Sequence, residues 1–148
     1  MAKRPDLMSR DFFEVPAAAP IVEGSQDWRG EVSQLVAGML AEAATAGKDR
    51  HMIAADMARL SGHEVSKSML DGYASPARDT FNIPFVWAPL LEVACDSITL
   101  SNWLVGKRGG KMLIGLEAIN AEIGRWERVQ DEASRRVRDL KAKARVGQ

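Results

Sequence analysis

The chain has 148 residues, 46% of them hydrophobic, and its 20 lysine and arginine residues are balanced by 20 aspartate and glutamate residues. This length suits one domain with an appended helix or tail, and the zero net charge means that any nucleic-acid surface must be local. The single cysteine, Cys95, excludes an intrachain disulfide and a thiolate zinc site. No apolar run approaches a membrane span and residues 1–6 lack the apolar core of a signal peptide, so we expect a cytoplasmic protein without membrane contact.

Residues 1–24 are predicted to form an extended N-terminal arm. Three prolines and a run of three alanines in this stretch favour an extended chain over a packed helix. The adjacent aromatic residues Phe12 and Phe13 are expected to dock, either over the core of the domain or on a partner chain.

A domain of short helices is predicted over residues 25–113. Ser25 could cap a helix that begins near Asp27 and follows a 3.6-residue hydrophobic period as far as Gly47, a residue suited to the position after a helix. Asp49 is then placed to cap the next helix.

Residues 54–73 predict two short helices joined by a glycine-containing turn, the pattern typical of a helix-turn-helix. In the first helix, residues 50–61, we expect Met57 and Leu60 to face inward, with the small Ala58 at the helix crossing. The second helix begins at Val65 or Ser66, repeats apolar residues every fourth position and stops before Pro76. A helical hairpin in any small all-α domain gives the same pattern.

A polar loop is expected from Pro76 to Pro84, followed by a helix over residues 86–94 that is apolar on most sides and therefore predicted to be deeply buried. Asp96 or Ser97 could cap one more short helix. Its inward residues are predicted to be Ile98, Leu100, Trp103 and Leu104. The basic, glycine-containing stretch 107–111 should end that helix.

Residues 114–148 differ in kind, because they contain no proline and carry a heptad spacing typical of a coiled coil. The predicted seam consists of Ile119, Ile123, Trp126, Gln130, Ala133, Val137, Leu140 and Ala144. We expect this helix to mediate homo-oligomerisation, the alternative being a long helix packed along its own domain. Its end is strongly basic, which makes it a candidate for phosphate contact.

No catalytic site is predicted. His51 and His63 lack the companions of a metal motif, and Cys95 sits among apolar residues as a small core residue would. The glycine-rich stretch 106–111 is followed by Met112 and therefore lacks the spacing of a nucleotide-binding loop. We accordingly expect no metal, no cofactor and no small-molecule substrate.

The order of these motifs resembles the helix-turn-helix regulators of temperate phages. The resemblance is carried by the stretches Met57-Ala58-x-Leu60-Ser61-Gly62 and Val65-Ser66-Lys67-Ser68-Met69-Leu70-Asp71-x-Tyr73, the Phe81-x-Ile83-Pro84 loop, Pro89-Leu90-Leu91, and Cys95-Asp96-x-Ile98-x-Leu100-x-x-Trp103-Leu104. The arm and the Lys/Arg-rich C-terminal helix are similar to those of small early-region proteins of Mu-like transposable phages. This similarity covers most of the chain, although no single motif in it is diagnostic.

The resemblance implies an all-α, five-helix DNA-binding domain that acts on phage promoters or transposon ends in the bacterial host cytoplasm. Its partner would be double-stranded DNA, with two copies placing two recognition helices about one DNA turn apart on a palindromic site. Base edges would be faced by His63, Ser66, Lys67, Ser68 and Asp71. Backbone contacts would come from Arg59, Arg78, Lys107, Arg108 and Lys111.

Two other functions fit the same sequence. A non-specific architectural or transposition accessory protein would bind DNA mainly through the basic C-terminal end. A protein–protein adaptor would use the hairpin and the long helix without any DNA binding, in keeping with the zero net charge.

Overall fold

The computed structural model describes residues 15–78 and 80–146, and every regular element in these two ranges is helical. The prediction of an all-α protein with a long C-terminal helix is therefore confirmed. Phe12 and Phe13, for which we expect docking, lie outside the described residues.

Six α-helices follow one another in the described part of the chain. They are α1 (Arg29–Thr45), α2 (Arg50–Ser61), α3 (Lys67–Tyr73), α4 (Ala88–Cys95), α5 (Thr99–Lys107) and α6 (Leu116–Val146), with a 3₁₀ turn, Phe85–Trp87, leading into α4. The chain divides into two compact units, Met1–Met112 and Leu113–Gln148. None of the helices in the described ranges has both the length and the hydrophobicity needed to cross a membrane.

The start of α1 differs from the prediction, because Ser25 does not cap it. The Ser25 hydroxyl donates backward to the carbonyl oxygens of Val22, at 2.7 Å, and Pro20, and so closes a turn in the preceding segment. The helix begins at Arg29, where the Asp27 carboxylate accepts from the backbone N–H and pairs with the guanidinium. Its end at Gly47 is as predicted.

The α2–α3 pair follows the prediction closely at its ends. Asp49 caps α2 by accepting from the backbone N–H groups of His51 and Met52. Gly62 ends α2 with a φ of 70°, a left-handed conformation that costs a residue with a side chain about 1–2 kcal/mol. Ser66 then caps α3 through its hydroxyl, which accepts from the N–H of Met69 at 3.2 Å.

The core lies where α1 and α2 pack against α4. Its fully buried side chains include Val36, Met39, Leu40, Ile53, Met57, Leu70 and Leu91. Met57 faces inward as predicted and Ala58 packs against the core from its edge. Leu60 was wrongly assigned to the inward side: its side chain is 46% exposed, since α2 turns Ile53 and Ala54 rather than Leu60 toward α4.

The helix after the Pro76–Pro84 loop is less buried than predicted. Val93 is 66% exposed because α4 buries only the stripe that includes Leu91, Ala94 and Cys95, and Val86, in the 3₁₀ turn before α4, is 75% exposed. The same stripe contains Glu92, a buried carboxylate that hydrophobicity alone did not reveal. An apolar composition therefore did not predict which sides of this short helix face the core.

Glu92 provides the cap that we expected from Asp96 or Ser97. One of its oxygens accepts from the backbone N–H of Ser101 at 2.7 Å, a group of the first turn of α5, and the other accepts from the Ser101 hydroxyl at 2.6 Å. Ser97 contributes a second, weaker contact by accepting from the N–H of Thr99. Asp96 instead ends α4 in a left-handed conformation, with φ of 53°.

Among the predicted inward residues of α5, Leu100 is buried and Trp103 is half-buried, whereas Ile98 and Leu104 are exposed. The helix ends at Lys107, as the basic glycine-containing stretch predicts. The loop before α4 is held to α1 by Asn82, whose side-chain amide donates to the Arg29 carbonyl at 2.9 Å and to the buried Ser33 hydroxyl at 3.0 Å.

Candidate nucleic-acid interface

The seven-residue helix α3 has one face in the core and one in solvent. Leu70 and Tyr73 are buried, which fixes the helix on the domain, while Lys67 and Ser68 are exposed and Asp71 is half-exposed. These three polar residues, all among those predicted to face base edges, therefore share the solvent side of one short helix. Their placement follows from the three-residue spacing of Leu70 and Tyr73, which puts both on the opposite side of the helix.

An ion-pair cluster covers this face of α3. The Asp71 carboxylate binds the Lys67 ammonium at 2.6 Å and also the guanidinium of Arg50 on α2. The hydrogen bond from Lys67, followed by that from Arg50, holds the pKa of Asp71 below its ordinary value. Arg50 was not among the predicted site residues, because a contact 21 residues away in the chain has no local signal.

Arg78 lies beside the same helix. Its guanidinium Nη1 is 3.4 Å from the position that a Cβ atom on Gly72 would occupy. The Phe81 ring stacks on Tyr73 with 5.0 Å between centroids and comes so close to α3 that only glycine fits at position 72. Three cations, Arg50, Lys67 and Arg78, therefore lie on or beside α3, and the Asp71 carboxylate binds two of them.

The other two predicted base-facing residues precede α3. His63 is exposed in the turn after α2, and its backbone N–H donates to the Ser61 hydroxyl at 3.2 Å. Ser66 is half-buried and uses its hydroxyl oxygen as the cap of α3. The hydroxyl hydrogen of Ser66 is not needed for capping, so the side chain keeps a donor.

The predicted backbone-contacting residues are not all gathered at α3. Arg59 is exposed on α2 and pairs loosely with Asp56 at 3.4 Å. Arg108 is exposed beside Ala18 of the N-terminal segment, and Lys111 is exposed four residues after the end of α5. The structure thus brings Lys67, Ser68, Asp71 and Arg78 together, whereas Arg108 and Lys111 follow α5.

Lys107 is held within the domain by residues at the start of α1. Its ammonium is 2.9 Å from the Glu31 carboxylate and 3.8 Å from the centroid of the Trp28 ring, while Trp103 Nε1 donates to Glu31 at 2.9 Å. The Lys107 hydrogen bond is the main reason why the pKa of Glu31 is lowered, and that from Trp103 adds to it. The charge of Lys107 is consequently compensated by the neighbouring Glu31 carboxylate.

An apolar patch near α4 was not predicted as exposed surface. Phe85 and Val86 of the 3₁₀ turn are largely exposed, as is Val93. A neighbouring apolar cavity of about 210 Å³ is lined in part by Phe85, Pro89 and Leu104. No ionisable side chain lines this cavity.

In residues 15–78 and 80–146, no group of three or more His, Cys, Asp or Glu side chains is arranged to hold a metal ion. Cys95 is buried in the core, where burial raises the pKa of its thiol to about 11. A thiol with that pKa is a poor nucleophile at neutral pH.

The second unit presents a separate surface, the seam of α6. Apolar seam residues are exposed along its whole length, with Trp126 at 61%. Positive charge is concentrated in the second half of the helix.

Comparisons with protein-family models, with curated proteins and with solved structures found no match to this chain. A functional assignment must therefore come from the residues of the chain and their geometry.

Proposed function

We propose that this protein is a helix-turn-helix DNA-binding regulator of the phage type that self-associates through α6. The observation that carries the proposal is the solvent face of α3, where Lys67, Ser68 and Asp71 lie among an excess of cations on a helix fixed to the domain by its opposite face. The resemblance of the α2–α3 region and the following helices to temperate-phage regulators supports the same assignment.

In this proposal α3 enters the major groove. Seven helical residues span about 10 Å, close to the groove width of about 12 Å. Lys67 would donate to guanine O6 or N7, Ser68 would bond either donor or acceptor edges, and Asp71 would accept from cytosine N4. His63 and Ser66 would contact bases at the entry to the helix.

Phosphate contacts would orient the domain on the duplex. Arg50 and Arg78 flank α3, and Arg59 is exposed at the end of α2. Arg108 and Lys111 would contact phosphates at the end of α5. Lys107 would contribute less than these residues, because Glu31 already compensates its charge.

Selection of binding sequences from a random duplex library tests the proposal. The wild-type protein should enrich one motif, and Lys67→Ala should enrich it poorly while keeping the native helical content. Arg128→Ala is the matched control, because it removes one exposed positive charge from α6 instead of α3. Equal enrichment by wild type and Lys67→Ala would refute the assignment of α3 as the reading helix.

A second candidate function, non-specific architectural DNA binding, is favoured by one observation. The second half of α6 has an exposed positive excess, with Arg135, Arg136 and Arg138 in close succession. Under this alternative, replacing these three arginines by glutamine should abolish binding to every duplex, and Lys67→Ala should have little effect. The proposed regulator gives the opposite ranking, with Lys67→Ala the more damaging change for the selected motif.

A further inference from the structure

The apolar seam of α6 is exposed to solvent on a helix of 31 residues. Ile119, Ile123, Trp126, Val137 and Leu140 are each about half-exposed or more, and together with Gln130 and Ala133 they occupy successive seam positions spaced alternately four and three residues apart. An exposed apolar stripe of this kind marks an interaction surface, because most of the stability of a helix in a protein comes from packing of its apolar face.

Charge is distributed unevenly along the same helix. Residues 116–131 carry a net charge of −2 and residues 132–145 carry a net charge of +4. The acidic residues of the first range are Glu117, Glu122, Glu127 and Asp131, and its basic residues are Arg125 and Arg128. The second range has six basic residues, Arg135, Arg136, Arg138, Lys141, Lys143 and Arg145, against Glu132 and Asp139. Two copies aligned head to tail would bring unlike halves together.

We infer that the seam of α6 is covered by α6 of a second copy of this chain in antiparallel orientation, about a two-fold axis between residues 131 and 132. This inference rests on the self-association in the proposed function and adds to it an orientation and a register.

The sizes of the seam residues fit this register. Antiparallel pairing places Trp126 opposite the partner's Val137, Gln130 opposite the partner's Ala133, and Ile119 opposite the partner's Ala144. In these three layers each larger residue meets a smaller one, and the remaining layer pairs Ile123 with the partner's Leu140, so the layer volumes vary less than in a parallel dimer. In a parallel dimer, Trp126 would instead face Trp126 of the second copy, and two layers further on Ala133 would face Ala133. The tryptophan layer would be overfilled and the alanine layer would contain a void.

The charges that flank the seam favour the same orientation. In the antiparallel register Glu122 lies beside the partner's Lys143, an attractive pair that occurs twice in the dimer. In a parallel dimer, Glu122 would lie beside the partner's Glu127, and Arg136 beside the partner's Lys141. Flanking charges of this kind set the orientation of paired helices, and like charges oppose it.

Cysteine crosslinking of the full chain tests the orientation. Two single substitutions, Ile123→Cys and Leu140→Cys, are made separately, and the proteins are oxidised alone and as a mixture. The antiparallel dimer predicts a disulfide only in the mixture, joining position 123 to position 140. In one helix these positions are about 25 Å apart, far beyond the reach of a disulfide. The unsubstituted protein controls for the buried Cys95.

The outcomes separate the inference from the function on which it rests. Crosslinks in each protein alone, or equal amounts of all possible pairs, would overturn the antiparallel orientation while keeping self-association. A dimer by sedimentation without any crosslink would place the interface elsewhere and also overturn the inference. A monomer at all concentrations would remove the self-association itself and leave the seam for the chain's own domain or for a different protein.

A charge reversal provides a second readout whose sign depends on the orientation. Glu122→Lys should weaken the antiparallel dimer about tenfold, because two weak attractive pairs become repulsive, and adding Lys143→Glu should restore it. A parallel dimer would be strengthened by Glu122→Lys alone, which would overturn the inference. Both positions are exposed on α6, so the folding of the first unit is not at stake.

Discussion

Replacing Asp71 by asparagine should increase the affinity of this protein for random duplex DNA. The Asp71 carboxylate binds both Lys67 and Arg50, and its removal raises the net charge of this three-residue cluster from +1 to +2. Each cation that neutralises a phosphate contributes about 0.9 to the slope of log affinity against log salt. One additional effective cation corresponds to binding that is about eightfold tighter at 0.1 M salt.

Fluorescence polarisation with a labelled random duplex, titrated at several salt concentrations, measures both quantities. The matched control is Asp27→Asn, which breaks an exposed Asp–Arg pair at the start of α1 and changes the total charge equally. Asp71→Asn should steepen the salt slope by about 0.9, and Asp27→Asn should leave it nearly unchanged. Equal effects of the two variants would show that α3 does not contact DNA. If Asp71 also reads cytosine, the variant should lose discrimination for the selected motif while gaining affinity for random DNA.

Three further predictions concern the stability of the helical domain. Glu92→Gln should lower the free energy of unfolding of this domain by about 1–2 kcal/mol, since one of two hydrogen bonds at the start of α5 is weakened. The measurement is urea unfolding followed by tryptophan fluorescence. As a control, Glu42→Gln at an exposed position should change the free energy of unfolding by less than about 0.5 kcal/mol. Asp96→Gly should stabilise the domain by roughly 0.5 kcal/mol, because relief of the left-handed backbone strain outweighs the larger entropy of glycine in the unfolded chain. A lower midpoint of urea unfolding would contradict this. The pKa of Glu31 is lowered in the folded protein from its ordinary value of 4.5. The ion pair between Glu31 and Lys107 should therefore contribute its full stability above pH 4.5 and lose it progressively as the pH falls through the folded-state pKa. Glu31→Gln should therefore be less stable than wild type at pH 7, and the difference should shrink as the pH falls below 4.5; a difference that stays constant with pH would refute the assignment.

The helical order and several helix ends could be predicted because their signals are local. Asp49, Gly47 and Gly62 act within one turn of the helix that they begin or end, and the four-residue repeat from Val65 includes the buried Tyr73 but not Leu70, the most buried side chain of α3. Ser25 misled the prediction, since its hydroxyl had a competing turn to close within the preceding segment.

Burial was predicted less well wherever it depends on which helix is the neighbour. Leu60 and Val93 are apolar but face solvent, because the core positions of α2 and α4 are taken by residues on a different side of each helix. Glu92 is charged but buried, because it completes the first turn of a helix that starts several residues later.

In the candidate site, too, features local in sequence were predictable and contacts between distant parts of the chain were not. Lys67 and Asp71 are four residues apart on one helix, so their common face was predictable from the sequence. Arg50 and the compensation of Lys107 by Glu31 depend on contacts between distant parts of the chain, for which a single sequence carries no signal.

The most direct test of the proposed function is a fluorescence polarisation titration of the full chain at 50 mM and 200 mM salt, with the duplex selected from the random library and a scrambled version of it. A helix-turn-helix regulator should bind the selected duplex at least about tenfold more tightly than the scrambled one at both concentrations, and its affinity for each should fall as salt rises. Equal affinity for the two duplexes would indicate architectural DNA binding. No binding to either duplex at 50 mM salt would contradict a DNA-binding function and favour a protein–protein adaptor.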